Sequence, residues 1–108
     1  MSISNKDRAF IISSAQNFFD GRYSLQPTIT ALRNTPSVEL DAEPIYSYAW
    51  NRYHNAPTGS YDDPLVAYQG IIEAIVGQIE HNLNARHYNG RLGIHTDYES
   101  ETITCYLD

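Results

Sequence analysis

The stretch from residue 63 to 86 constrains the fold more than any other part of the chain, because it is long and largely apolar. Asp62 or Asp63 can cap a helix there, and Pro64 suits its first turn. Apolar side chains follow at helical spacing and widen beyond one face: Leu65, Val66, Tyr68, Ile71, Ile72, Ile75, Val76, Ile79 and Leu83. Such a helix spans about 35 Å. We predict that helix 63–86 is the central element of the fold.

Two shorter helices are predicted upstream. The helix at 5–20 follows Ser4, a favourable N-cap, and carries apolar residues at helical spacing (Ile11, Ile12, Ala15, Phe18 and Phe19). The helix at 42–54 follows Asp41, which is predicted to be its N-cap.

The C-terminal residues alternate between apolar and polar as strands do. Segments 91–98 and 101–107 predict an antiparallel hairpin with an apolar face on the long helix and a polar face toward solvent. A lone hairpin is marginal, so residues 22–40 are expected to supply a third strand near 38–40, after a short helix near 28–33. The predicted class is α+β: three main helices with a small antiparallel sheet.

Length and composition favour one domain, residues 1–108, since 108 residues leave no room for a second core. The only cysteine, Cys105, fits a reducing compartment. The N-terminal residues lack the apolar region of a signal peptide, and no long apolar run predicts a membrane span. We therefore expect a cytoplasmic protein that does not bind membranes.

The net charge of −6 lies in the second half of the chain. Residues 1–54 carry five acids and five bases, whereas residues 55–108 carry eight acids and two arginines. This asymmetry disfavours direct nucleic-acid binding and favours a basic partner protein. Arginine side chains suit fixed pairs with carboxylates, so some acids are expected to be paired.

Two groups of residues are the predicted partner-binding site. Tyr46, Trp50 and Tyr53 form an aromatic ridge off the face that Ile45 and Ala49 would bury, and tyrosine-rich surfaces are typical of interfaces. The alternative is that these rings form the rim of an ordinary core. The second group is acidic and can imitate a phosphate array or simply solubilise the protein: Glu73, Glu80, Asp97, Glu99 and Glu101.

No motif predicts catalysis or a cofactor. His81, His87 and His95 are the best candidate metal ligands, but their spacing matches no known ligand pattern, so we predict exposed histidines and no metal. Cys105 falls on the apolar strand face, where a thiolate is disfavoured. The chain is therefore predicted not to be an enzyme.

The long helix also has a face of small residues, Gly70, Ala74 and Gly77. Each glycine costs up to about 1 kcal/mol of helix propensity, so close packing should compensate for it. The first helix can provide that packing within one chain, and a homodimer is the alternative.

In size, acidity and lack of catalytic motifs the chain resembles small phage or mobile-element proteins that inhibit host nucleic-acid enzymes, including anti-CRISPR proteins. The resemblance implies a non-enzymatic inhibitor that occupies a basic or nucleic-acid-binding surface of its partner. Two alternatives remain open. One is an immunity protein against a toxin nuclease, and the other is a small-molecule-binding protein or minor enzyme that uses the region of His81, His87 and His95.

Overall fold

The computed structural model describes residues 3–21 and 23–108, which form four α-helices and a three-stranded antiparallel sheet. The sheet has the order β1-β3-β2. The predicted α+β class and the C-terminal hairpin are therefore confirmed. In chain order the elements are α1 Asn5–Phe19, α2 Gln26–Leu32, β1 Ser37–Glu39, α3 Glu43–His54, α4 Pro64–Leu83, β2 Leu92–Asp97 and β3 Thr102–Leu107.

Helix α4 is the central element, as predicted. It packs against α1, α3 and β2, and six of its side chains are fully buried: Ala67, Ile71, Ile72, Ile75, Ile79 and Leu83. Asp63 is its N-cap, since its carboxylate accepts hydrogen bonds from the Leu65 and Val66 amides. Among the described residues, no helix is both long and apolar enough to cross a membrane.

The helix was predicted to end near residue 86, but it changes from an α-helix to a π-helical turn before that residue. The α-helix stops at Leu83, a single π-helical turn covers Asn84–Tyr88, and Asn89 ends it in the left-handed region at φ 51°. The Asn84 side-chain amide then holds the first residue of β2, accepting from the Leu92 amide at 2.9 Å and donating to its carbonyl at 3.0 Å. The π turn therefore aligns the hairpin with the helix.

The predicted N-cap of α3 is wrong. The N-cap is Ala42, which makes no side-chain capping bond, and the Asp41 carbonyl instead accepts a hydrogen bond from the Tyr23 hydroxyl at 2.9 Å. Pro44 in the first turn has no amide hydrogen, so one fewer donor requires a cap. Glu43 adds a favourable negative charge at the helix N-terminus.

The hairpin keeps the predicted faces and gains the predicted third strand. β1 joins β3 with Val38 opposite Cys105, and Gly93 and His95 of β2 lie opposite Tyr106 and Thr104 of β3. Ile103 and Cys105 are fully buried on the inner face, whereas His95, Asp97 and Tyr106 are exposed on the outer face.

On the small-residue face of α4, Gly70 is in close contact with α1, whereas Gly77 faces open space. A Cβ atom at Gly70 would lie 2.8 Å from Ile11 Cγ1, so α1 packs closely at this point. A Cβ at Gly77 would meet nothing within 4 Å. Intramolecular packing therefore accounts for Gly70, while a homodimer through this face stays a prediction.

The two glycines should respond oppositely to alanine. Gly70→Ala gains helix propensity but drives a methyl group into Ile11, so we expect a net loss of about 1 kcal/mol in unfolding free energy. Gly77→Ala is the matched control and should gain up to about 1 kcal/mol. Urea unfolding measures both, and equal stabilisation by the two would contradict the α1–α4 packing.

Candidate partner-binding face

A cleft of about 450 Å³ lies where α3, the first half of α4 and the β2–β3 turn meet. It brings together three residues of the predicted site: Tyr46 and Trp50 of α3, and Glu101, about fifty residues later in the chain. The complete lining is Glu43, Tyr46, Ser47, Trp50, Asn51, Tyr68, Ser100 and Glu101.

Packed aromatic rings support this cleft, and Tyr68 is their common neighbour. Its ring centroid lies 6.5 Å from that of Tyr46, 6.2 Å from Trp50 and 5.7 Å from Tyr53. Tyr98 continues the cluster at 6.3 Å from Tyr46. Tilted and edge-to-face pairs at these distances are favourable, so the cluster fixes α3 against α4 and the hairpin.

The predicted aromatic ridge is not exposed as a whole. Tyr46 is 4% exposed, because the hairpin covers this side of α3 and the Tyr46 hydroxyl donates to the Asp97 carbonyl at 3.1 Å. Tyr53 is half-buried, whereas Trp50 is 52% exposed. Trp50 is therefore the exposed ring of the ridge, and Tyr46 is a buried ring of the aromatic cluster that supports the cleft.

Most of the predicted acids surround the β2–β3 turn. Glu73 accepts a hydrogen bond from the Tyr98 hydroxyl. The Asp97 carboxylate accepts from the Glu99 and Ser100 amides at 3.0 and 3.4 Å, and these bonds lower the pKa of Asp97. These bonds therefore favour the charged form of Asp97. We define the acidic face as Trp50 with Glu43, Glu73, Asp97 and Glu101. The Glu99 side chain is exposed in the same turn.

Of the predicted acids, Glu80 lies away from the β2–β3 turn. It lies seven positions after Glu73 along α4, a rise of about 10 Å. Its charge acts instead on Cys105, whose pKa rises to about 11, first through burial and then through Glu80. The Cys105 thiol is buried and protonated at neutral pH, consistent with its predicted structural role.

Three contributors to the face were not predicted: Glu43, Tyr68 and Tyr98. Glu43 accepts a hydrogen bond from the Ser47 hydroxyl at 2.6 Å, but in the sequence it stands out only as a first-turn acid. Tyr68 and Tyr98 occupy apolar positions of the predicted helix 63–86 and the predicted strand 91–98, which indicated core packing. The one available signal was their hydroxyl groups, because a largely buried tyrosine usually has a polar partner.

The expected arginine–carboxylate pairs are not found in residues 3–21 and 23–108, whose one salt bridge joins Lys6 to Asp62 at 3.6 Å. Arg52 instead donates to the Ser14 hydroxyl at 2.9 Å and stacks on Phe10, with its guanidinium carbon 5.0 Å from the ring centroid. Among the described residues, no Lys, Arg or His side chain therefore forms a salt bridge with the acidic face.

The three histidines do not form a site. His81, His87 and His95 are all exposed, and none lines the 450 Å³ cleft. Across the described parts of the chain, no three His, Cys, Asp or Glu side chains are grouped to hold a metal ion.

A second cleft, of about 860 Å³, lies between the end of α1, α2, β1 and the start of α3. It contains no residue of the predicted partner-binding site. Its walls include Phe18, Tyr23, Leu40, Asp41 and Tyr48.

Tyrosine ionisation provides a test of the cleft support. Burial first, then Tyr68 and nearby carboxylates, raise the pKa of Tyr46 from 10.0 to about 12. Because the folded pKa is the higher one, this contribution to stability is complete below pH 10 and is lost as the pH rises toward 12. Tyr46→Phe should therefore weaken the alkaline fall in unfolding free energy, as measured with urea.

Tyr106→Phe is the matched control, because Tyr106 is 43% exposed on the outer sheet face. This variant should keep the wild-type pH dependence of the unfolding free energy. An identical alkaline fall in wild type and Tyr46→Phe would contradict the buried position of Tyr46.

No known family, curated protein or solved structure matches this chain. The chemistry of the cleft and its rim is therefore the basis for inferring a function.

Proposed function

We propose that this chain is a non-enzymatic binding protein whose acidic face occupies a basic, nucleic-acid-binding surface of a partner protein. The observation that carries this proposal is the exposed Trp50 beside acids that form no salt bridge within residues 3–21 and 23–108, over a packed aromatic support. Tryptophan is among the residues most enriched at the energetic centre of interfaces.

The support matters because a preorganised face loses less entropy on binding. Tyr98 holds the Glu73 carboxylate, and the backbone of the turn holds Asp97. Fixed carboxylates around an aromatic anchor can replace the phosphates that a basic surface normally binds, and they speed association by electrostatic steering.

Two kinds of partner fit this face. One is a host nucleic-acid enzyme, which would make the chain a phage or mobile-element inhibitor of the anti-CRISPR type. The other is a toxin nuclease, which would make it an immunity protein. A cytoplasmic location, favoured by the single cysteine, gives access to both. The genes beside this one distinguish them, since a toxin gene is expected only in the second case.

A small-molecule-binding function is the second candidate, at a different place from the predicted histidine region. The 860 Å³ cleft lies within the usual volume range of ligand pockets and includes Phe18, Leu40 and Tyr48 in its walls. Such a function would leave the acidic face dispensable, so the two candidates differ in which substitutions abolish activity.

Capture from a host lysate tests the main proposal. The variant Glu43→Lys/Glu101→Lys reverses two charges of the acidic face, and Asp20→Lys/Glu39→Lys makes the same change in net charge at exposed positions outside it. Wild type and the control variant should retain the same basic protein, and the face variant should lose it. Capture should also weaken as salt rises, because screening reduces charge attraction. Equal capture by all three proteins would contradict the proposal.

A further inference from the structure

One edge of the sheet is open, and the pairing register shows which backbone groups it exposes. Arg91 accepts from the Asp108 amide at 3.1 Å, and Gly93, His95 and Asp97 follow at the two-residue interval of hydrogen-bonded pairs. The backbone groups of these residues face β3. Those of the intervening residues, Leu92, Ile94 and Thr96, face away from the sheet.

Leu92 differs from Ile94 and Thr96 in whether its outward backbone groups already have hydrogen-bond partners. The Asn84 side chain satisfies both the amide and the carbonyl of Leu92. The amides and carbonyls of Ile94 and Thr96 have no hydrogen-bond partner among the described residues. Four adjacent backbone groups on a six-residue edge strand are a template for another strand.

We propose that a second copy of this chain pairs with β2 in the antiparallel direction, about a two-fold axis at His95. In this register Ile94 lies opposite Thr96 of the second copy, and all four open groups of each copy form hydrogen bonds. The two sheets become one sheet of six strands. This inference does not depend on the proposed function.

The charge order along the strand favours a second copy over other occupants. Arg91 precedes β2, while Asp97 ends it and Glu99 follows. Antiparallel self-pairing therefore brings each Arg91 beside the acidic end of the other copy, at both ends of the interface. Opposite charges on facing strands stabilise pairing, and Arg91 and Glu99 are exposed.

The backbone also selects the register. Shifting the pairing toward Ile94 would require Leu92 to give up its bonds to Asn84. The axis at His95 satisfies the open groups without disturbing that contact. It also places the half-buried, β-branched side chains of Ile94 and Thr96 beside each other across the interface.

Sedimentation velocity over a concentration series tests the dimer. Thr96→Pro removes one outward donor per copy without touching the β2–β3 ladder, and should weaken dimerisation at least about tenfold. Glu39→Pro is the matched control on the opposite edge, since Val38 pairs with Cys105 and Glu39 faces outward. It should dimerise like wild type.

A charge exchange gives a second test that does not depend on proline. Arg91→Glu and Glu99→Arg should each weaken dimerisation, and the double variant should restore it. A wild-type protein that stays monomeric at every concentration would overturn the inference. So would a dimer insensitive to both tests, or one abolished by Gly77→Leu instead, which would place the interface on α4.

Discussion

Ile75→Ala should lower the free energy of unfolding by about 2–5 kcal/mol, the range for deleting a large buried aliphatic side chain. Ile75 is fully buried near the middle of α4, where α1, α3 and the sheet surround the helix. The substitution removes transfer free energy and leaves a cavity that rigid neighbours cannot fill. Urea unfolding monitored by circular dichroism measures the change.

Ile12→Ala is the matched control, because it is the same substitution on a helix at a side chain that is 51% exposed. Its cost should be about 0.5 kcal/mol or less. If Ile75→Ala proves too unstable to purify, Ile75→Val should still cost about 0.5–1.5 kcal/mol. Equal effects at positions 75 and 12 would contradict the central place of α4.

Trp50→Ala should weaken binding to the captured partner by about 30-fold or more, which corresponds to the 2 kcal/mol that defines an interface hot spot. Its effect on folding should be small, since half of the side chain is already exposed. Titration calorimetry with the purified partner measures the loss, and circular dichroism confirms that the variant is folded.

Leu65→Ala is the control for general surface apolarity. Leu65 is 60% exposed in the first turn of α4 but does not line the cleft. We expect its affinity for the partner to stay within about threefold of wild type, as for most interface-margin residues. A larger loss at Leu65 than at Trp50 would move the interface away from the acidic face.

The helices and the hairpin were predictable because their signals are local. The apolar periodicity of α4 and the alternation in β2 and β3 depend on near neighbours in sequence. The burial of Tyr46 was not predictable in this way. It depends on the hairpin, some fifty residues later in the chain, covering that side of α3.

In the candidate site, too, the features that depend on local sequence were predictable, and those that depend on contacts between distant elements were not. The acids of the β2–β3 turn are close in sequence, so their clustering was predictable. The separation of Glu80 follows from its position along the helix axis. The roles of Tyr68 and Tyr98 depend on contacts between distant elements. Some arginines were expected to pair with acids, but Arg52 binds Ser14 and Phe10 instead, because both lie within its reach.

Amide hydrogen exchange of this chain, alone and in complex with the captured partner, tests the central claim most directly. The acidic face predicts new protection in α3 and in the turn at residues 97–101, with no change in α1, α2 and β1, which form the rest of the 860 Å³ cleft. Protection confined to α1, α2 and β1 would contradict a partner-binding role for the acidic face.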